Sequence, residues 1–219
     1  MIIFILCIVI TVSQAGVSAL DWLPHSDRKL VYGTTTGTVR ICDIDERKFV
    51  HEFSINEDIN EPPHFIKRIS CSSNGNLCAI ASEAHPENGK LMLYDLKATK
   101  SMEPNLTHSL SNSLNQTSVT TCVFNHNAQM IITGNSDGKV RIFDLRKRDC
   151  ISSWSLTEKS DPILTLQMSS DETCIYALSS EGQFSAWSFI QTSQKIFDTK
   201  IDDPYFNSDL YGRSCYGKL

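Results

Sequence analysis

Short apolar-rich runs recur along the chain with polar turns between them. Over residues 119–145 the run VTTCVF leads to Asn125-His126-Asn127, the run MIIT leads to Ser136-Asp137-Gly138, and the run KVRIF ends at Asp144. Three short runs joined by tight turns predict an antiparallel meander, because parallel pairing needs a longer crossover. The Asp-Gly pair suits a turn whose glycine takes positive φ. Asp137 can hold that turn by accepting from nearby backbone N–H groups.

The same unit recurs. A glycine followed six residues later by an Asp-like end occurs in GTVRICD (Gly37 to Asp43), GKLMLYD (Gly89 to Asp95), GKVRIFD (Gly138 to Asp144) and GQFSAWS (Gly182 to Ser188). An apolar or aromatic residue precedes each end: Cys42, Tyr94, Phe143 and Trp187. Two further runs lie upstream of each glycine, such as VSALDW and KLVYGTT before Gly37, and a fourth follows each end, such as FVHEFSI and CISSWSL. The ends at 43, 95, 144 and 188 give a period of 44–52 residues. Four strands per period, closing on an aromatic-Asp pair, predict an all-β propeller built from four-stranded antiparallel blades. The blades fall at about residues 17–55, 65–110, 119–157 and 163–200, between an apolar segment 1–16 and an irregular tail 201–219.

On these residues the chain resembles the WD-repeat family over residues 17–197. Two departures stand out. No Gly-His pair precedes a first strand, and only the fourth blade has the tryptophan, Trp187, where Ser188 replaces the aspartate. The hydrogen-bond network that locks such blades is therefore expected to be incomplete. The positions that carry the repeat are Gly37, Asp43, Gly89, Asp95, Asp137, Gly138, Asp144, Gly182 and Trp187.

The segments SALDWLPHSDRKL, TTCVFNHNAQMIITGNSDGKVRIFDLRKRDCISSW and YALSSEGQFSAWSF resemble an endosomal group within that family. This resemblance implies a propeller that docks a late-endosomal Rab GTPase, in a protein that restrains phosphatidylinositol 3-kinase complexes during early-to-late endosome conversion. The implied location is the cytosolic face of early and late endosomes, with at most peripheral membrane association.

Composition narrows the function classes. The net charge of −5 lacks the basic stripe of a nucleic-acid surface. The eight cysteines form no C-x-x-C pair, and most sit in apolar runs, which points to small buried hydrophobes in a reducing compartment. No G-x-S-x-G, H-E-x-x-H or phosphate loop occurs, so neither catalysis nor a cofactor is expected. Glu83, His85 and Glu87 share a loop but read as solvated rather than as a metal set, and His126 reads as a turn residue. Trp22 reads as a packing residue. The triplet Arg146-Lys147-Arg148 reads as a soluble turn, although such a cluster can also meet anionic headgroups.

The N-terminus pulls the other way. Ile2–Ile10 is apolar, and Ser13-Gln14-Ala15 follows, as in a signal peptide, but no basic residue precedes it. The alternatives are a secreted or lumenal propeller, with glycans at Asn105 or Asn115, or a start inside a longer intracellular protein, which the resemblance favours. A scaffold of another assembly, such as a ubiquitin-ligase adaptor, is a third reading. Four blades are too few for a ring of about seven, so an incomplete ring is expected. If each open end bares ~400 Å² of apolar surface, at ~25 cal/mol/Å² it forfeits ~10 kcal/mol. That is comparable with a whole domain's ~5–15 kcal/mol.

Overall fold

The computed structural model describes residues 15–26, 28–56, 64–84, 88–96, 105–109 and 117–201. The apolar run Ile2–Ile10, the loop residues His85 and Glu87, the sequon at Asn115 and the tail from residue 202 lie outside the described residues.

Sixteen strands form four sheets. The first holds β1 (Val17–Trp22), β2 (Lys29–Thr34), β3 (Thr38–Asp43) and β4 (Lys48–Ser54). The second holds β5 (Phe65–Cys71), β6 (Leu77–Ala84), β7 (Asn88–Asp95) and β8 (Asn105–Ser109). The third holds β9 (Val119–Phe124), β10 (Met130–Asn135), β11 (Lys139–Asp144) and β12 (Asp149–Ser155). The fourth holds β13 (Ile163–Met168), β14 (Cys174–Ser179), β15 (Gln183–Ser188) and β16 (Lys195–Lys200). Each sheet is an antiparallel meander in sequence order. The described residues contain no helix.

The first strands adjoin in series, β1 on β5, β5 on β9 and β9 on β13, so they line a common axis. The second strand of each sheet also packs on the first strand of the next: β2 on β5, β6 on β9 and β10 on β13. The result is an arc of four blades, a partial β-propeller with its fourth strands at the rim. Alternation along each strand sends one set of side chains to the preceding sheet and the other to the following one. Val31, Val39 and Ile41 meet Ile66, Ile69 and Ile80 between sheets one and two. Ala79, Leu91 and Leu93 meet Val119, Ile131 and Phe143 between sheets two and three. Ile132, Val140, Ile142 and Trp154 meet Ile163, Ile175 and Trp187 between sheets three and four.

Two bulges repeat in every sheet. One lies in the first strand, at Ser18, Lys67, Thr120 and Leu164. The other lies in the fourth, at Val50, Thr107, Ile151 and Ile196. A bulge increases local twist and re-aims the strand, which suits the ends of a twisted wedge. Backbones also approach closely. A Cβ on Gly33 would stand 2.6 Å from Ile66 Cγ2, and one on Gly134 would stand 2.6 Å from Ile163 Cγ2.

The two ends of the arc differ. The fourth sheet exposes Tyr176 and Phe197 on the face that no described sheet covers. On the first sheet, Leu30, Tyr32 and Cys42 form a small buried cluster on the face turned away from the second sheet. Tyr32 lies 6.5 Å from the Phe49 ring, which carries the Arg40 guanidinium 5.2 Å above it. That end is thus less open than two bare faces would require. Trp22, expected to pack, is 41% exposed. Its register equivalent Phe124 is buried against the preceding sheet. No described sheet precedes the first, so Trp22 has nothing comparable to pack on.

Candidate interaction surface

The turns after the first strands of the second, third and fourth sheets are built alike. A small polar side chain at the strand end gathers the turn's amides: Ser72 Oγ accepts from Leu77 N at 2.9 Å, and Asn125 Oδ1 accepts from Met130 N at 2.8 Å. Ser169 Oγ accepts from Cys174 N at 2.9 Å. One turn residue takes positive φ in all four sheets: His25 at 62°, Gly75 at 67°, Ala128 at 55° and Glu172 at 56°, the last three standing two residues before the returning strand. Equal turns on adjacent wedges then stand side by side. The Ser73 hydroxyl donates to the His126 carbonyl, and the His126 amide donates to the Glu172 carboxylate.

Beside this chain of turns lies a cleft of about 290 Å³, open to solvent near the axis. Its apolar wall includes Val123, Phe124 and Met168, and its polar groups include Gln167, His126 and Glu172. Gln167 and His126 are exposed. An apolar wall with a few convergent polar groups is the usual constitution of a recognition cleft. Cys71, which also lines it, donates its amide to Asp21 Oδ2 at 2.6 Å and ties the first blade to the second. Burial raises the Asp21 carboxyl above its ordinary value, against the lowering effect of the Cys71 and Trp22 amides and of Arg68.

Two neighbouring thiols are held in the protonated form. The hydrogen bond with Cys71, and then burial, push Cys78 well up, and burial pushes Cys122 to about 12. Burial likewise raises Cys42 to about 11. Thiols held this high carry almost no nucleophilic thiolate at neutral pH. The six described cysteines are unbonded. Cys150 departs from the expected burial and is exposed on the rim. Among the described residues no three His, Cys, Asp or Glu side chains converge to hold a metal ion.

The repeat positions lie away from the cleft. Gly37, Gly138 and Gly182 occupy the turns between second and third strands with φ of 79°, 72° and 80°. A Cβ on Gly37 would also stand only 2.5 Å from the His64 carbonyl oxygen, so that left-handed position admits glycine alone at low cost. Gly89 lies within β7, where a Cβ would stand 2.4 Å from Ser118 Cα. Asp43 and Asp144 end their third strands and cap the next turn. Asp43 accepts from Asp45 N and Glu46 N at 3.1 Å each, and Asp144 from Arg146 N at 2.8 Å and Lys147 N at 3.2 Å. Those backbone bonds hold the Asp144 carboxyl below its ordinary value. Asp95 ends β7, paired across the sheet with Leu77 and Asn105.

Asp137 accepts Lys139 N at 3.2 Å and forms a two-pronged pair with Arg141, at 2.6 and 3.1 Å. Arg141 was not singled out from the sequence. Its position between Val140 and Ile142, four residues after Asp137, was the available signal. Trp187 donates from its indole to Ser185 Oγ at 2.8 Å and packs at a tilt, 5.6 Å between ring centres, on Trp154 of the preceding blade. The cleft was likewise not foreseen, because its walls come from three turns about 50 residues apart.

Comparison with known proteins places this geometry. Residues 24–189 match the β-propeller model described as the nucleolar protein 10-like N-terminal domain. WD repeat-containing protein 91 of Gallus gallus is 29% identical over 205 residues, covering 85% of this chain and 26% of the relative. The Xenopus tropicalis protein of the same name is 29% identical over 209 residues, covering 87% and 26%. A homolog in Dictyostelium discoideum is 30% identical over 194 residues, covering 88% and 23%. The chain spans about a quarter of the length of the curated relatives it matches.

Proposed function

The chain belongs to the β-propeller family of the nucleolar protein 10-like N-terminal domain, and from that premise we propose that it is a non-catalytic protein-interaction scaffold of endosomal traffic. In this reading it acts on the cytosolic face of early and late endosomes and engages a late-endosomal Rab GTPase. Through phosphatidylinositol 3-kinase complex subunits it regulates phosphatidylinositol 3-phosphate there. The observation that carries the scaffold reading is the axial cleft, where three linked turns present an apolar wall and exposed polar groups. The endosomal part rests on the resemblance of segments such as SALDWLPHSDRKL and YALSSEGQFSAWSF to the endosomal group of WD-repeat proteins.

The test is capture of the full chain on late-endosomal Rab loaded with GTP or GDP, with Gln167→Arg and Ser170→Arg variants. Both residues are exposed in the cleft, so an arginine fills it without touching the core. Retention on the GTP form alone, lost in both variants, is the expected result. Equal capture on both nucleotide forms removes the Rab assignment. Capture that survives both substitutions removes the cleft as the docking site.

A further inference from the structure

A second surface lies on the rim of blades three and four, away from the cleft. Three isoleucines are exposed there: Ile151 at 45%, Ile190 at 77% and Ile196 at 56%. The repeat shows that this exposure is not a consequence of an open ring. Ile190 stands two residues after the third-strand end Ser188, where Asp45 and Arg146 stand after Asp43 and Asp144. Those equivalents are solvent-facing, with side chains 63% and 69% exposed. Ile151 and Ile196 are the bulge residues of β12 and β16. Ile151 belongs to a sheet with neighbours on both sides, so no missing blade accounts for it. Tyr176 and Phe197 differ, because their equivalents Ile132 and Ser152 lie in a sheet that the fourth blade covers.

Ile151 closely follows a cationic turn. Arg146, Lys147 and Arg148 are all exposed and lead directly into Asp149, Cys150 and Ile151. Asp144 is committed to capping that turn and meets the Arg146 guanidinium only at 3.9 Å. The blade-four turn closes on itself through Ser188 N to Gln194 O at 2.8 Å and Gln191 N to Ser188 Oγ at 3.0 Å, which holds Ile190 on its outside. Ser193 of that turn lies 3.4 Å from Ser152 of β12, so the turn abuts the strand into which the cationic turn leads. Lys195 adds a fourth cation, paired with Asp198 at 2.7 Å and 5.3 Å over the Trp187 ring.

We propose that this rim docks on an anionic membrane surface. Arg146, Lys147 and Arg148 contact lipid phosphates and carboxylates, and Ile190, Ile151 and Ile196 enter the interfacial layer. A convex edge of turn tips, cationic beside apolar, matches a deformable anionic surface, where basic groups and buried apolar side chains add their affinities. The chain's net charge of −5 makes this local excess of cations the complementary feature.

The test is co-flotation of the full chain with phosphatidylcholine vesicles, with and without about 30% phosphatidylserine. Binding is expected only with phosphatidylserine, and it should weaken as salt is raised. Arg148→Glu and Ile190→Ser should each reduce the bound fraction by about tenfold. Lys159→Glu makes the same charge change in the exposed loop between β12 and β13, at the opposite end of the strands, and should leave binding intact. All three substitutions are at exposed positions, and unchanged circular dichroism certifies that each variant folds. Absence of binding at low salt overturns the proposal and leaves the rim to an acidic protein segment. Binding unaffected by Arg148→Glu or Ile190→Ser, or lost equally in Lys159→Glu, also overturns it.

Discussion

Single residues fix how closely the blades approach. Gly134 is the sharpest case, with Ile163 Cγ2 at 2.6 Å and Thr121 Cγ2 at 2.8 Å from the position of a Cβ. Gly134→Ala should destabilise the chain by about 1–3 kcal/mol, as overpacking does. Urea unfolding of Gly134→Ala, Ile163→Ala and the double variant would show the double costing less than the sum of the singles, because the two share one space. Asp137 and Arg141 behave in the same coupled way. The Arg141 side chain is only 6% exposed, so Asp137→Ala strands a buried guanidinium, at a cost of about 3 kcal/mol. Replacing both, with Arg141→Met, should recover much of that loss. Asp144 gives a pH test. Its folded-state value is below the unfolded one, so its contribution is complete above the unfolded value of 3.8 and is lost as pH falls through the folded value. Thermal unfolding between about pH 5 and pH 2 should therefore fall less steeply in Asp144→Asn than in the parent chain.

Strands and sheets inherit these local constraints through register, and the repeat offers an internal control. Ile132 and Tyr176 occupy equivalent positions in β10 and β14, but only Ile132 faces a described neighbour. Ile132→Ala should cost about 2–5 kcal/mol. Tyr176→Ala, which loses stacking on Phe184 at 6.2 Å but no packing against a neighbouring described sheet, should cost less, about 1 kcal/mol. Similar costs in denaturant unfolding would mean that the fourth sheet's far face is covered. The elements themselves were legible in the sequence. Alternation, the Asp137-Gly138 turn and the six-residue step that recurs from Gly37, Gly89, Gly138 and Gly182 are all local signals, so the four-bladed all-β reading needed no long-range information. The bulges at Thr120 and Ile151 left no such signal, because an extra residue in a strand is visible only against its partner. The exposure of Trp22 and the burial of Arg141 depended on which neighbour lies across the sheet. The cleft depended on three turns meeting at the axis, which a per-blade reading places correctly one by one without showing that they touch.

For the molecule as a whole, the arc has two kinds of blade. The second and third sheets bury both faces, whereas the fourth leaves Tyr176 and Phe197 in solvent. Stability in such an array is close to a sum of each unit's own term and the interfaces it shares with its neighbours. Inner blades therefore sit in two interfaces and the last blade in one. At ~25 cal/mol/Å², an interface of several hundred Å² outweighs the differences expected among the blades' own hydrogen-bonded ladders. Local opening should then be graded along the chain rather than all-or-none. Hydrogen exchange should find the slowest amides in β6 and β10 and the fastest in β16, whose side chains are exposed throughout. Adding a partner that covers the fourth sheet should slow β14 and β15 most and β6 least. Uniform protection across the four sheets would show one cooperative unit, and the open face would then contribute nothing to how the arc opens. A graded pattern would instead place the weakest part of the molecule next to the rim proposed to meet the membrane. There, binding at Ile190 and Ile196 would restrain β16 directly, and the same exchange experiment repeated with anionic vesicles would register that as slowed exchange confined to β12 and β16.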